Sequence, residues 1–156
     1  MAKSITTLKS KAMNKEQIAQ LIDISAVRAD STWSEIEQIM EATKQYPFIC
    51  VFTMPSMIER IRKEVKALPM TGLGGIVGFP SGGDTTSMKV NQAKELVATG
   101  CDEVDMVMNI GKLKSGFDEE VKSDILAVKE AVAPLPLKVI IEVCLLNDEE
   151  ITRASK

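Results

Sequence analysis

Residues 104–109 read VDMVMN and residues 137–143 read LKVIIEV, two runs too apolar to leave either sheet face to water. Strands of that kind have both faces covered, which predicts a parallel sheet with helices packed outside it. Working outward, FICVF (Phe48–Phe52) and GIVGF (Gly75–Phe79) share this β-rich character, and LIDI (Leu21–Ile24) is a weaker case. Between the runs the apolar spacing becomes helical. Ile36, Ile39 and Met40 follow a start signal at Ser31-Thr32 and predict a helix over 34–44. Pro55 opens another over 55–68, with Ile58, Ile61 and Val65 on one stripe. A third over 85–99 stops at Gly100, and a fourth over 118–132 is halted by Pro134 and Pro136. Strand centres fall about 30 residues apart, the length of one strand-plus-helix unit. The pattern predicts an α/β fold in one domain spanning residues 1–156.

Five such units can be placed, and Asn147 followed by Asp148-Glu149-Glu150 reads as the start of a further helix. A closed eight-unit barrel needs roughly 200–250 residues or more. The expectation is either an open five-stranded sheet or the first five units of a TIM-type (β/α)8 barrel. A helical start at the end of the sequence favours the partial barrel.

Composition removes whole classes of function. Histidine is absent, which excludes Ser-His and Cys-His nucleophile pairs and HExxH metal sites. The net charge of −3 supplies no bulk positive field for nucleic acid or an anionic membrane, so neither is an expected partner. Cys50, Cys101 and Cys144 are odd in number and far apart, without a CxxC, which supports neither zinc nor a disulfide framework and fits a reducing, cytoplasmic home. Every apolar run is shorter than the ~20 residues a membrane span requires. Residues 1–12 lack the apolar stretch of a secretory signal and read as a polar lead-in.

Three features carry possible chemistry. Gly78–Thr86 (GFPSGGDTT) is a glycine-rich turn between strand and helix, able to hold a phosphate or simply to make a tight connection capped by Asp84 or Thr85. It matches neither GxGxxG nor a P-loop. Asp105 lies inside a predicted strand, sharing one face with Val107 and Asn109. Burying a carboxylate costs several kcal/mol, roughly, unless it is paired, so Asp105 calls for a partner. Lys138 and Glu142 share a face of the next strand. With both polar faces turned inward, Asp105, Lys138 and Glu142 form one charged cluster, either a catalytic site or a structural ion pair at the mouth of the sheet. Asp23 ends a short apolar segment and Cys50 reads as a core thiol.

Taken together, these segments resemble the deoxyribose-phosphate aldolases. The resemblance rests on GFPSGGDTTSMKVNQAKELVATGCDEVDMVMNIGKLKSG (Gly78–Gly116) and LKVIIEVCLLNDEE (Leu137–Glu150), with weaker support from LIDIS (Leu21–Ser25) and ICVFTMP (Ile49–Pro55). It runs in unbroken order over about residues 13–156. It implies a class I aldolase on an eight-stranded (β/α) barrel that cleaves 2-deoxy-D-ribose 5-phosphate to glyceraldehyde 3-phosphate and acetaldehyde, with no metal and no cofactor. It further implies a phosphosugar substrate as ligand; a homo-oligomer is the expected assembly because bare parallel edges seek a partner. Residue by residue, Asp105 matches the aspartate that relays protons through water, Lys138 a lysine of the same pocket, and Cys50 the pocket cysteine. Asp23 matches the acid of an Ile-Asp-His-Thr signature, in which Ile24 and Ser25 here replace His and Thr. Asn109, Glu142 and Ser25 complete the expected pocket lining.

The family's Schiff-base lysine lies on a sixth strand within Lys-Thr-Ser-Thr-Gly, and these 156 residues contain no match to it. A second lysine on strand seven and the phosphate-binding loops that close the barrel are likewise unmatched. An attacking amine must be unprotonated, and the acids around Lys138 favour its charged form. The expectation is therefore little or no aldolase activity from this chain alone. The alternatives are a non-catalytic partial barrel stabilised by self-association, and a related phosphosugar aldolase.

Overall fold

The computed structural model describes residues 13–156; the polar lead-in predicted for residues 1–12 lies outside them. Asn14 opens the first short helix, α1 (Lys15–Ala19), through a capping box with Gln17. There follow β1 (Asp23–Ala26), α2 (Trp33–Gln45), β2 (Cys50–Thr53), a 3₁₀ turn at Pro55–Met57, α3 (Ile58–Val65), β3 (Gly72–Val77) and α4 (Thr86–Thr99). The chain continues through β4 (Glu103–Val107), α5 (Ile110–Lys114), α6 (Asp118–Val132), β5 (Leu137–Ile140), a 3₁₀ turn at Val143–Leu145 and α7 (Asp148–Ala154). The strands form one five-stranded parallel sheet in the order β1-β2-β3-β4-β5. Sequential parallel strands joined by helices make this the partial (β/α)8 barrel, not an unrelated open sheet.

The helix predictions hold closely, and α6 has the predicted bounds. Thr85 caps α4 at one end, and Gly100 takes the left-handed conformation at the other. The strand predictions are displaced. Only β5 starts where expected, and it stops at Ile140 because Glu142 turns to φ 53 and leaves the ladder. β4 ends at Val107 because Asn109 accepts a hydrogen bond from the Lys112 amide and becomes the cap of α5. β3 begins at Gly72, ahead of the predicted Gly75, because glycine-rich sequence disguises a strand. β1 and β2 each start two residues late.

The sheet has two distinct faces. Val51, Leu73, Val77, Val104 and Met106 point outward into the main core with Ile36, Ile58, Ile61, Val65, Ala93, Val128 and Val132 from the helices. The inward face carries Cys50, Phe52 and Ile76. Glycine is required opposite Phe52: a Cβ at Gly74 would lie 2.3 Å from the Phe52 ring. The Gly78–Thr86 segment is a tight βα connection. Gly82 has φ +69, and a Cβ there would fall 1.8 Å from the Met108 carbonyl oxygen.

Candidate active site

Strand register assembles the polar cluster. Asp105 pairs with Lys138 across β4 and β5, and Asp23 pairs with Cys50 across β1 and β2. Alternation then places Glu103 on the Asp105 face, two residues back along β4. Lys138 Nζ hydrogen-bonds Asp23 and lies 2.7 Å from Glu103 Oε1 and 3.7 Å from Asp105 Oδ2. The Phe52 ring lies beneath the ammonium, 5.4 Å from its centroid. One cation from β5 thus faces three carboxylates from two other strands, Asp23 of β1 and Glu103 and Asp105 of β4.

Of the residues expected in the site, Asp105, Lys138, Asp23 and Cys50 come together. Ser25 faces the same interior by alternation from Asp23, whereas Ile24 packs into the outer core. The departure expected at position 24 therefore falls in the outer layer and not in the interior. The expected Asp105–Lys138–Glu142 cluster is corrected in one member. Glu142 lies beyond the end of β5 and accepts a hydrogen bond from the Cys144 thiol, 2.8 Å away. Asn109 is likewise past the end of its strand, with its side-chain oxygen committed to the α5 cap. Glu103 takes the place intended for Glu142. It sits one residue before the predicted start of its strand, and its signal was its spacing of two from Asp105.

Burial dominates the charge state of Asp105. Its side chain is only 16% exposed and Oδ1 lacks a hydrogen-bond partner. Desolvation pushes its carboxyl up to about 6; Lys138 pulls it down, and Glu103 and Asp23 push it further up. Lys138 moves the other way from a nucleophilic amine. Partial burial pulls its ammonium down, but hydrogen bonds to Asp23 and Glu103 and the charge of Asp105 outweigh this and raise it above the ordinary lysine value. Burial, then the nearby Glu103 and Asp23 charges, raise the Cys50 thiol and keep it protonated.

Donor atoms of Asp23, Cys50 and Glu103 lie within 4.8 Å of one another. They do not suit a metal ion, because the Lys138 ammonium already pairs with both carboxylates and the thiol holds its proton. What the arrangement suits is proton handling. Asp105 exchanges a proton near neutrality beside a fixed positive charge.

Comparison with known proteins gives the chemistry a lineage. Residues 9–156 match the family model described as DeoC/LacD family aldolase. A deoxyribose-phosphate aldolase of Sinorhizobium medicae is 47% identical over 138 residues, 88% of this chain and 56% of that protein. One from Klebsiella pneumoniae is 42% identical over 150 residues, 92% of this chain and 59% of its own length. The chain thus spans rather more than half of the curated relatives it matches. A crystal structure of a candidate deoxyribose-phosphate aldolase from Coccidioides immitis superposes with TM-score 0.84 at 31% identity, covering 99% of this chain and 60% of that one. Matched by family model over nearly its whole length and by relatives of the same name, the chain belongs to the DeoC/LacD family of aldolases.

Proposed function

We propose that this chain carries the proton-handling part of a deoxyribose-phosphate aldolase site, acting on 2-deoxy-D-ribose 5-phosphate to release glyceraldehyde 3-phosphate and acetaldehyde. The observation that carries the reading is the inward-facing group of Asp105, Lys138, Asp23 and Glu103, brought together from β1, β4 and β5 of a family barrel. Retro-aldol cleavage needs a proton taken from the sugar hydroxyl as the carbon–carbon bond breaks, and a proton returned to the carbon fragment. Asp105, titrating near 6, suits both transfers through water. Lys138 supplies a fixed positive charge beside it. Ser25 and Cys50 line the interior, and Asn109 and Glu142 stand at the strand ends where a substrate would enter.

Lys138 is not the Schiff-base nucleophile in this reading. An amine condenses with a carbonyl only when neutral, and its carboxylate neighbours keep this one protonated. Extra positive charge or a dry apolar pocket would be needed to reverse that. The 156-residue chain alone is therefore expected to show little or no cleavage, and borohydride with substrate should trap no adduct on it. A trapped Lys138 adduct in a peptide digest would overturn this assignment.

The positive test extends the chain with the remaining part of the Sinorhizobium medicae aldolase, joined where their alignment ends. The extended polypeptide should cleave 2-deoxy-D-ribose 5-phosphate, and Asp105→Asn should lower kcat by about 10²–10⁴-fold. A folded, inactive hybrid, or one indifferent to Asp105→Asn, would remove the proposal. We further place the protein in the cytoplasm: its three cysteines are unpaired, and no helix among the described residues is long and apolar enough to cross a membrane.

A further inference from the structure

Lys138 faces Asp105 directly in the strand register, yet its ammonium is drawn elsewhere. Nζ hydrogen-bonds Asp23 at the start of β1, lies 2.7 Å from Glu103 Oε1 at the start of β4 as an ion pair, and remains 3.7 Å from Asp105. An ammonium is a compact charge on a flexible stem, so its position is set by whichever acceptors bind it best. Were Asp23 and Glu103 neutral, the facing carboxylate of Asp105 would be the acceptor left. A close Asp105–Lys138 pair would fix both groups in their charged forms.

We propose that Glu103 is a positioning residue of this site: with Asp23 it draws the Lys138 ammonium off Asp105, leaving Asp105 as the carboxyl that carries a proton to and from the substrate. This deepens the aldolase reading and rests on it for the reaction, though not for the geometry. The charged and titratable neighbours are Asp23 from β1, Cys50 from β2, Glu103 on β4 itself and Lys138 from β5. The β3 position opposite Asp105 is the apolar Ile76. Cys50 keeps its proton and contributes no charge. Glu103 therefore acts on Asp105 in two ways of the same sign, by repelling its negative form and by holding the cation away.

The test is a carbon-13 NMR titration of the Asp105 carboxyl in the 156-residue chain, without substrate. In Glu103→Gln the midpoint should fall by about one unit or more toward the ordinary carboxylate value. Asp23→Asn should move it the same way and serves as a second reading if Glu103→Gln does not fold. Glu103→Asp, which keeps the charge, should restore most of the shift. Lys138→Met should raise the midpoint, because the nearby cation is gone. This opposite sign separates positioning from damage, since a loosened site that admits water would lower the midpoint in every variant. An unchanged or raised midpoint in the folded Glu103→Gln chain, or a lowered one in Lys138→Met, would overturn the assignment. These outcomes are independent of turnover: the expected shifts with an inactive hybrid leave the role of Glu103 standing and remove the aldolase reading, whereas the converse removes only the role of Glu103.

Discussion

Asp105 pays for its chemistry in stability. In the unfolded chain its carboxyl has an ordinary value near 3.8, and in the folded protein it stands at about 6. Between those values the folded state binds more protons than the unfolded one. Stability is therefore greatest below about pH 4 for this group, and falls as pH rises through 6. The loss is on the order of 3 kcal/mol for a shift of this size, less where Lys138 moves in response. Asp105→Asn should flatten the acid-to-neutral slope of urea unfolding and stabilise the chain at pH 8 by roughly 1–3 kcal/mol. A mutant retaining the wild-type slope would assign that titration to another group. Much of this site was legible in the sequence because a carboxylate among Val and Met residues demands a partner, and Lys138 was the nearest one. Glu103 and Glu142 were harder. Each lies at a strand end, and the assignment of either to the interior turns on one or two residues of strand length. Caps and a left-handed residue, rather than hydrophobic pattern, decide that length.

Among elements, those long enough to show a period were readable, and those held by polar detail were not. α6 spans four turns with Val121, Val128 and Val132 buried along one side, so its periodicity is plain. α1 and α5 have five residues each, too few for a period, and Asn caps define them instead. One polar feature joins long helices: Lys89 of α4 and Asp124 of α6, 0% and 3% exposed, form an ion pair of 2.6 Å. Lys89 Nζ also donates to the Val107 carbonyl, 3.1 Å away at the end of β4. β3 leaves the sheet at Gly78 just there, so the lysine supplies a donor where the neighbouring strand has ended. Lys89→Met should lower unfolding free energy by about 3–5 kcal/mol, because it strands a buried carboxylate. Adding Asp124→Leu should recover most of that loss in urea melts. A double mutant no better than the single would show that the Val107 contact, and not the unpaired charge, carries the cost.

At the scale of the whole molecule, the ion pair between Lys138 and Asp23 joins the last strand of the sheet to the first, 115 residues earlier in sequence. The sheet is therefore curled enough for its two edge strands to reach one another by side chain across the interior, while among the described residues each keeps an unpaired backbone edge. Parallel edges of this kind template further pairing unless something covers them. The ion pair that bridges the gap rests on a Lys138 side chain that is 43% exposed, and so holds it weakly. The two edges then have a ready partner in a second copy of the chain. Sedimentation equilibrium should give a mass that rises with concentration above the 17.0 kDa of the single chain. Lys138→Met, which unlinks the edges, should shift that rise to lower concentration. A species fixed at the single-chain mass throughout, unmoved by Lys138→Met, would mean that the curled sheet protects its own edges. The self-association expected of a partial barrel would then be wrong.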